Sequence, residues 1–328
     1  MKLDSINDVP DILMEFLEYH STVRGHSDKT VFAYYTDLKI LFRYLKRRRH
    51  LASADVPFNE IDITDIDIDF IKTIKIEELY RYQSFSPDTD NSLSAASRCR
   101  RTSSVKSFFN YLTVKRHLLE TNICQELDMP KRQSSLPKYL EESECERLLA
   151  VCDGKFEYRD YAILMLFLSC GLRVSELVGL NLTDVYEDRV RVLGKGNKER
   201  IVFFAEGCRE ALDDYLAVRD NGKMRDEDKN ALFISNVGRR ITSRGVEQMV
   251  DKKLMLAGLD ASRYSPHKLR HTAATLMLKN GVDTRALQEV LGHSNLNTTQ
   301  IYTHLDNAQL HEAAMANPIG RKKKTKSE

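Results

Sequence analysis

The chain has 328 residues, 42% of them hydrophobic and 30% charged, and a formal net charge of +2. That length exceeds what one compact core usually absorbs, so two domains are expected, and the mild basic excess neither demands nor excludes a nucleic-acid partner. The most hydrophobic stretch, YAILMLFLSCGL, is too short to span a bilayer, and the N-terminal MKLDSINDVPDILMEF carries acids where an export signal would need an apolar core. Cys99, Cys124, Cys145, Cys152, Cys170 and Cys208 have no paired spacing, which points to reduced, mostly buried thiols of a cytoplasmic protein.

From Pro10 to about Arg49 the pattern is helical. Ile12, Leu13, Phe16 and Leu17 form a one-sided apolar stripe. Ser27 reads as the N-cap of a second helix carrying Val31, Tyr34, Tyr35, Leu38, Leu41, Phe42 and Leu45, which ends in the basic run Lys46 to Arg49. Residues 51–62 read as a loop, about 64–82 as a further helix, and Ser84 to Ser94 as a surface loop rich in Ser, Asp, Asn and Pro. In SAASRCRRTSSVKSFFNYLTVKRH, Val105, Phe108, Phe109 and Leu112 share one side of a helix. Arg98, Arg100, Arg101 and Lys106 cluster near its start and form either a solvated face or a phosphate-contacting patch. Residues 1–128 are thus expected to be a helical bundle, and 129–138 a basic linker whose Lys131 and Arg132 could track a phosphate backbone.

After the linker the chain becomes mixed. ESECERLLAVC and EYRDYAILMLFLSCG read as helices, the second apolar enough to be central, with Gly171 suited to its C-terminal turn. VYEDRVRVLGKGNKERIVFFA shows β-branched runs around Gly194-Lys195-Gly196-Asn197, the pattern of a hairpin. Helices return in REALDDYLAVRD, in SRGVEQMVDKKLMLAG, from about His267, from Thr284 to Leu291, and in AQLHEAAMANPIG. The expected fold is mainly α with a small β-sheet (α+β). A domain over 139–317 is followed by a basic disordered tail, 318–328.

Several polar residues sit where a plain core would not want them. Arg173 directly follows the apolar helix, with Glu176 three residues on, so the pair is either structural or part of an anion site. In SPHKLRHTAATLMLKNG, Pro266 fits a helix start. His267 and Arg270 then share one face, with His271 one turn from His267, near the anion-favouring end of the helix. Zinc is disfavoured there, because no HExxH glutamate separates the histidines and Arg270 would repel a dication. A phosphate reading joins more features. Arg173 and Arg270 could neutralise phosphodiester oxygens, His267 and His293 could handle protons, Lys195 could reach a leaving oxygen, and Tyr302 could act as nucleophile without metal or other cofactor.

GLRVSEL, GKGNKER, SPHKLRHTAAT and LGHSNLNTTQIYTH resemble, in order and spacing, the catalytic boxes of the tyrosine recombinases, in wording most like bacterial Xer recombinases and related integrases. The resemblance implies site-specific DNA cleavage and rejoining through a 3′-phosphotyrosine. Tyr302 would be the nucleophile, Arg173 and Arg270 the phosphate-binding pair, Lys195 the general acid, His267 and His293 the histidine positions and Glu176 the support of the first arginine. His271 and His304 would flank the boxes. It also implies a C-shaped clamp on double-stranded DNA bearing a short inverted repeat, contacted by Arg98, Arg100, Arg101, Lys106, Lys131, Arg132, Lys198 and Arg200. Four protomers on two duplexes are implied, with a partner recombinase or accessory protein possible and no membrane role. Residues about 50–92, with the acidic run IDITDIDIDF, look longer than the compact Xer pattern, so chromosome-dimer resolution and mobile-element integration or excision both stay open. Type IB topoisomerase-like relaxation and a regulator without catalysis are the other readings.

Overall fold

The computed structural model describes residues 6, 8–87, 93–131, 138–194, 199–219, 224–291 and 307–322. The chain divides into two compact units, Met1–Ser135 and Leu136–Glu328. Among the described residues it is mostly helical, with one small antiparallel sheet, and no helix is long and apolar enough to cross a membrane.

The first unit is built from α1 (Asp11–Glu18), α2 (Asp28–Arg48), α3 (Ile68–Lys72), α4 (Ile76–Ser84) and α5 (Ala95–Asn110). The apolar stripes meet as expected. Leu13, Phe16 and Leu17 of α1, Leu38, Leu41, Phe42 and Leu45 of α2, and Val105, Phe108 and Phe109 of α5 are buried in one core, Phe16 and Phe108 edge to face at 5.3 Å. Ser27 holds the N-cap position of α2, but its hydroxyl meets that of Thr30 at 3.1 Å and caps no backbone N–H.

The single helix expected over about 64–82 is instead two short ones. Asp67 accepts the Phe70 N–H at 2.8 Å to start α3, and Glu78 reaches back to the Lys75 N–H at 3.0 Å to start α4. Between them, the Thr73 carbonyl accepts from Arg49 Nη2 at 3.1 Å, and the same guanidinium pairs with Glu78. A long-range arginine therefore stabilises a helix break that local periodicity does not show. The basic end of α2 is committed in the same way. Lys46 pairs with Asp65 at 2.6 Å, and Arg47 donates to the Ala54 and Val56 carbonyls.

In the second unit the central element is α7 (Glu157–Met165), continued by one π turn, Leu166–Cys170, and buried from Asp160 to Leu172. Around it lie α6 (Glu142–Ala150), α8 (Val174–Gly179), α9 (Glu206–Val218), α10 (Ser243–Leu256), α11 (Pro266–Lys279), α12 (Thr284–Leu291) and α13 (Asn307–Met315). β1 (Arg189–Leu193) and β2 (Glu199–Phe203) pair antiparallel, with Val192 opposite Arg200 and Val190 opposite Val202. All six cysteines are buried and unbonded.

The C-terminal boundary needs correction, because residues 318–322 are folded into this unit. Asn317 is fully buried and donates to the carbonyls of Leu168 and Ser169 at 2.9 and 3.1 Å, at a helix end where carbonyls lack helical partners. Its own amide oxygen accepts the Ile319 N–H at 3.0 Å, Ile319 is enclosed, and Lys322 pairs with Glu142 and Glu146. A Cβ at Gly207 would meet the Lys322 carbonyl oxygen at 2.1 Å, so this contact needs a glycine on α9. Before that anchor, Leu310, Ala313 and Ala314 of α13 pack in cis against Met277, Leu287, Val290 and Leu291.

Candidate active site

α7 and its π turn stop at Gly171, whose backbone is left-handed with φ +62°. Side chains rarely adopt that conformation, and here there is no room for one either, since a Cβ would lie 2.8 Å from Leu291 Cδ2. The sharp turn brings Arg173 to the N-cap position of α8 in extended backbone (φ −78°, ψ 151°). Glu176, at the third helical position, reaches back and accepts the Arg173 N–H at 2.8 Å and Arg173 Nη1 at 2.7 Å. Arg173 keeps 36% side-chain exposure, whereas Glu176 keeps 2%.

A second arginine closes on the same carboxylate from β2. Arg200 donates Nη1 and Nη2 to Glu176 at 2.6 and 2.9 Å, and Nε to the Val290 carbonyl at 3.1 Å. The third comes from α11, which starts at Pro266 after Ser265. Arg270 lies 3.8 Å from Glu176 and donates to the Gly171 carbonyl at 2.6 Å and to the Leu291 carbonyl. One buried acid thus gathers three guanidinium groups from α8, β2 and α11. Burial works against the Glu176 anion, but hydrogen bonds and charge from Arg200 and Arg173 prevail and hold its carboxyl below the usual carboxylate range. Burial, with Arg173 alongside, pushes Arg270 down to about 10, still protonated at neutral pH. His267 lies one turn before Arg270, exposed, its ring edge-on to His271 at 4.9 Å. Partial desolvation, then the charges of Arg270, Lys268 and Arg173, hold it below the ordinary imidazole value, which favours the neutral ring.

The structure thus brings Arg173, Glu176 and Arg270 together with His267 nearby. Lys195, His293 and Tyr302 lie outside the described residues, as do His304, Lys198 and Arg132. Among the expected DNA contacts, Arg200 and Arg101 are corrected by their surroundings, and Lys106 is half-buried. Arg200 is turned inward with 14% side-chain exposure. Arg101 is buried and donates to the Phe85 carbonyl at 3.0 Å, and Lys106 donates to the Leu127 carbonyl at 2.5 Å. Arg100 stays half exposed while pairing with Asp37, Arg98 is partly buried, and Lys131 is exposed. The inward turns have a sequence signal in parity. Arg101 precedes Val105 and Phe108 on the apolar stripe of α5, and Arg200 shares a strand face with buried Val202.

The helical unit is followed by a mixed unit in which three arginines gather on one buried acid, an arrangement suited to binding an anion such as a phosphodiester. The phage integrase family model matches residues 138–309, and that family's N-terminal SAM-like domain matches residues 13–116. Tyrosine recombinase XerC of Caldanaerobacter subterraneus subsp. tengcongensis is 49% identical over 313 residues, covering 95% of this chain and 88% of its own. Tyrosine recombinase XerC of Corynebacterium glutamicum is 39% identical over 315 residues, covering 94% and 92%. The XerH site-specific recombinase bound to palindromic difH substrate, a post-cleavage complex, shares the fold with TM-score 0.63 at 23% identity, covering 92% of this chain and 83% of its own. The chain belongs to the phage integrase family of tyrosine recombinases and is of the Xer type, an enzyme that breaks and rejoins DNA in site-specific recombination. Its similarity to named recombinases sets aside the topoisomerase-like and binding-only readings.

Proposed function

We propose that this recombinase cleaves each strand with Tyr302 and holds the scissile phosphate between Arg173 and Arg270. The phenolic oxygen attacks phosphorus, the bond to the 5′-oxygen breaks, and Lys195 gives that oxygen its proton, leaving a 3′-phosphotyrosine and a 5′-hydroxyl. A 5′-hydroxyl from the exchanging strand then reverses the step. The observation that carries this reading is the Glu176 cluster. Three guanidinium groups around one carboxylate leave a net positive charge, prebuilt where negative charge grows on the pentavalent phosphorus. Neutral His267 is suited to accept a proton beside that charge, and His293 supplies the second histidine.

The substrate is double-stranded DNA with a short inverted repeat, in keeping with the palindromic substrate of XerH, and four protomers act on two duplexes, in keeping with the lambda integrase tetramer bound to a Holliday junction. Arg98, Arg100 and Lys131 contact phosphates from the first unit and linker, and a second recombinase or accessory protein shares the reaction, in the cytoplasm at the nucleoid. Chromosome-dimer resolution and mobile-element integration or excision are the two settings that this reaction would serve.

A nicked suicide duplex carrying the cognate site tests the chemistry. The parent enzyme should form an adduct that survives SDS, with or without EDTA, and Tyr302→Phe should form none. An adduct from Tyr302→Phe would remove Tyr302 from the role of nucleophile.

A further inference from the structure

Arg200 is the one arginine of the Glu176 cluster that the chemistry above does not place on the phosphate. Its donors face inward. Nη1 and Nη2 span both oxygens of Glu176, and Nε binds the carbonyl of Val290. One planar fork therefore ties three elements together: β2 at its second residue, α8 through Glu176, and α12 at its next-to-last residue. Each tie leads along the chain to a residue of the site. Lys195 stands five positions before Arg200, Arg173 three before Glu176, and His293 three after Val290.

We propose that Arg200 is a positioning residue for strand cleavage, which registers the hairpin bearing Lys195 against the Arg173–Glu176 pair so that the proton reaches the 5′-oxygen as it leaves. This rests on the reading of Lys195 as the general acid. The geometry calls for arginine. A lysine ammonium is a point charge that cannot bridge both carboxylate oxygens and a carbonyl on another helix, whereas the guanidinium fork holds its donors in a fixed plane. The fork also distinguishes positioning from charge supply. Without Arg200, Glu176 still has Arg173 at 2.7 Å and Arg270 at 3.8 Å, so the acid remains paired and the phosphate arginines keep their partner. What is lost beyond one unit of charge is the fastening of β2.

The test is single-turnover cleavage of suicide duplexes carrying either the natural oxygen or a bridging sulfur at the 5′ position of the scissile phosphate. A thiolate leaves without a proton, so sulfur bypasses the general acid. On the oxygen duplex, Arg200→Ala and Arg200→Lys should each cleave about 10²-fold more slowly, the low end of what general acid catalysis contributes. On the sulfur duplex both should return to within about threefold of the parent, as Lys195→Ala should. Duplex affinity and its salt dependence should stay at parent values, because Arg200 touches no phosphate.

Restoration of Lys195→Ala but not of the Arg200 variants overturns the inference while leaving Lys195 as the acid. Failure to restore Lys195→Ala overturns the reading of Lys195 and this inference with it. A salt slope shallower by about one unit in Arg200→Ala makes Arg200 a phosphate contact and equally overturns it. Should the alanine variant fail to fold, Arg200→Lys carries the same comparison.

Discussion

A buried carboxylate in each unit of this recombinase, Asp37 in the first and Glu176 in the second, is reached by arginines, and the two are treated in opposite ways. Asp37 on α2 is fully enclosed. Its Oδ2 accepts Arg100 Nη1 at 2.5 Å and the Ser104 hydroxyl at 2.7 Å, while Oδ1 has no hydrogen-bond partner among the described residues. Burial prevails there over Ser104, Arg100 and Arg101, and the carboxyl is raised above its ordinary value. Glu176 is almost as deeply buried, yet both its oxygens are met by guanidinium donors and its carboxyl is lowered. The lesson is that burial alone does not set the sign. The number of charged donors reaching the carboxylate does, and only the catalytic unit supplies enough of them to keep the anion fixed.

Neutralising both acids is the sharpest way to break that comparison. Glu176→Gln leaves three guanidinium groups crowded without their counter-charge and should destabilise the fold by about 3–5 kcal/mol in urea unfolding. Asp37→Asn removes an anion that was only half coordinated and should shift stability by no more than about 1 kcal/mol. Equal losses would mean that coordination does not separate the two acids.

The arginines extend the contrast to activity. Arg173→Ala and Arg270→Ala should each slow cleavage by about 10²–10³-fold while duplex binding in gel shifts stays close to parent, because other basic groups still reach the backbone. Arg100→Ala should do the reverse, weakening binding modestly while bound complexes cleave at the parent rate. Binding lost in step with cleavage for Arg270→Ala would erase the division of labour.

Acid provides the most graded comparison. His20 in the first unit is buried beside Phe16 and Tyr34, its Nδ1 3.2 Å from that of His26. Burial, with His26 and Arg24 nearby, lowers it from 6.5 to about 4. Between those values the unfolded chain binds the proton that the folded chain refuses. Stability conferred by the neutral ring is therefore complete above about pH 6.5 and declines toward pH 4, by roughly 3 kcal/mol at about 1.4 kcal/mol per pH unit. Glu176 works in a lower window. Its folded value lies below the ordinary 4.5, so what it contributes is present above that value and disappears only as pH falls further. Amide protection factors in α1 and α2, taken relative to the intrinsic exchange rate at each pH, should fall first as pH drops from 6.5, with those of α7 and α8 still held, and His20→Phe should flatten that response.

Much of this molecule was legible from periodicity and from short-range chemistry. The stripes of α1, α2 and α5, the burial of α7, the glycine that ends it and the hairpin all follow from local pattern. The Arg173–Glu176 pair was one of two open readings, and the structure adds the two arginines that share the acid. What local pattern did not reveal depends on distant partners. The break between α3 and α4 is held by Arg49, and the order of residues 318–322 comes from the Leu168 and Ser169 carbonyls and the bare surface of Gly207. Arg101 and Arg200 are the instructive cases. Their charge suggested a surface, but their place in the helical and strand periods put them inside.

Gly171 acts as a gauge for the whole site. Its missing side chain sets how near the end of α12 comes to the end of α7, and its carbonyl marks where Arg270 is tied. A single methyl group there would push Leu291 away, and the Leu291 carbonyl is the other tie of the same guanidinium. The spacing of the proposed phosphate pocket is therefore set by a residue outside it, one that has no room for a single added carbon.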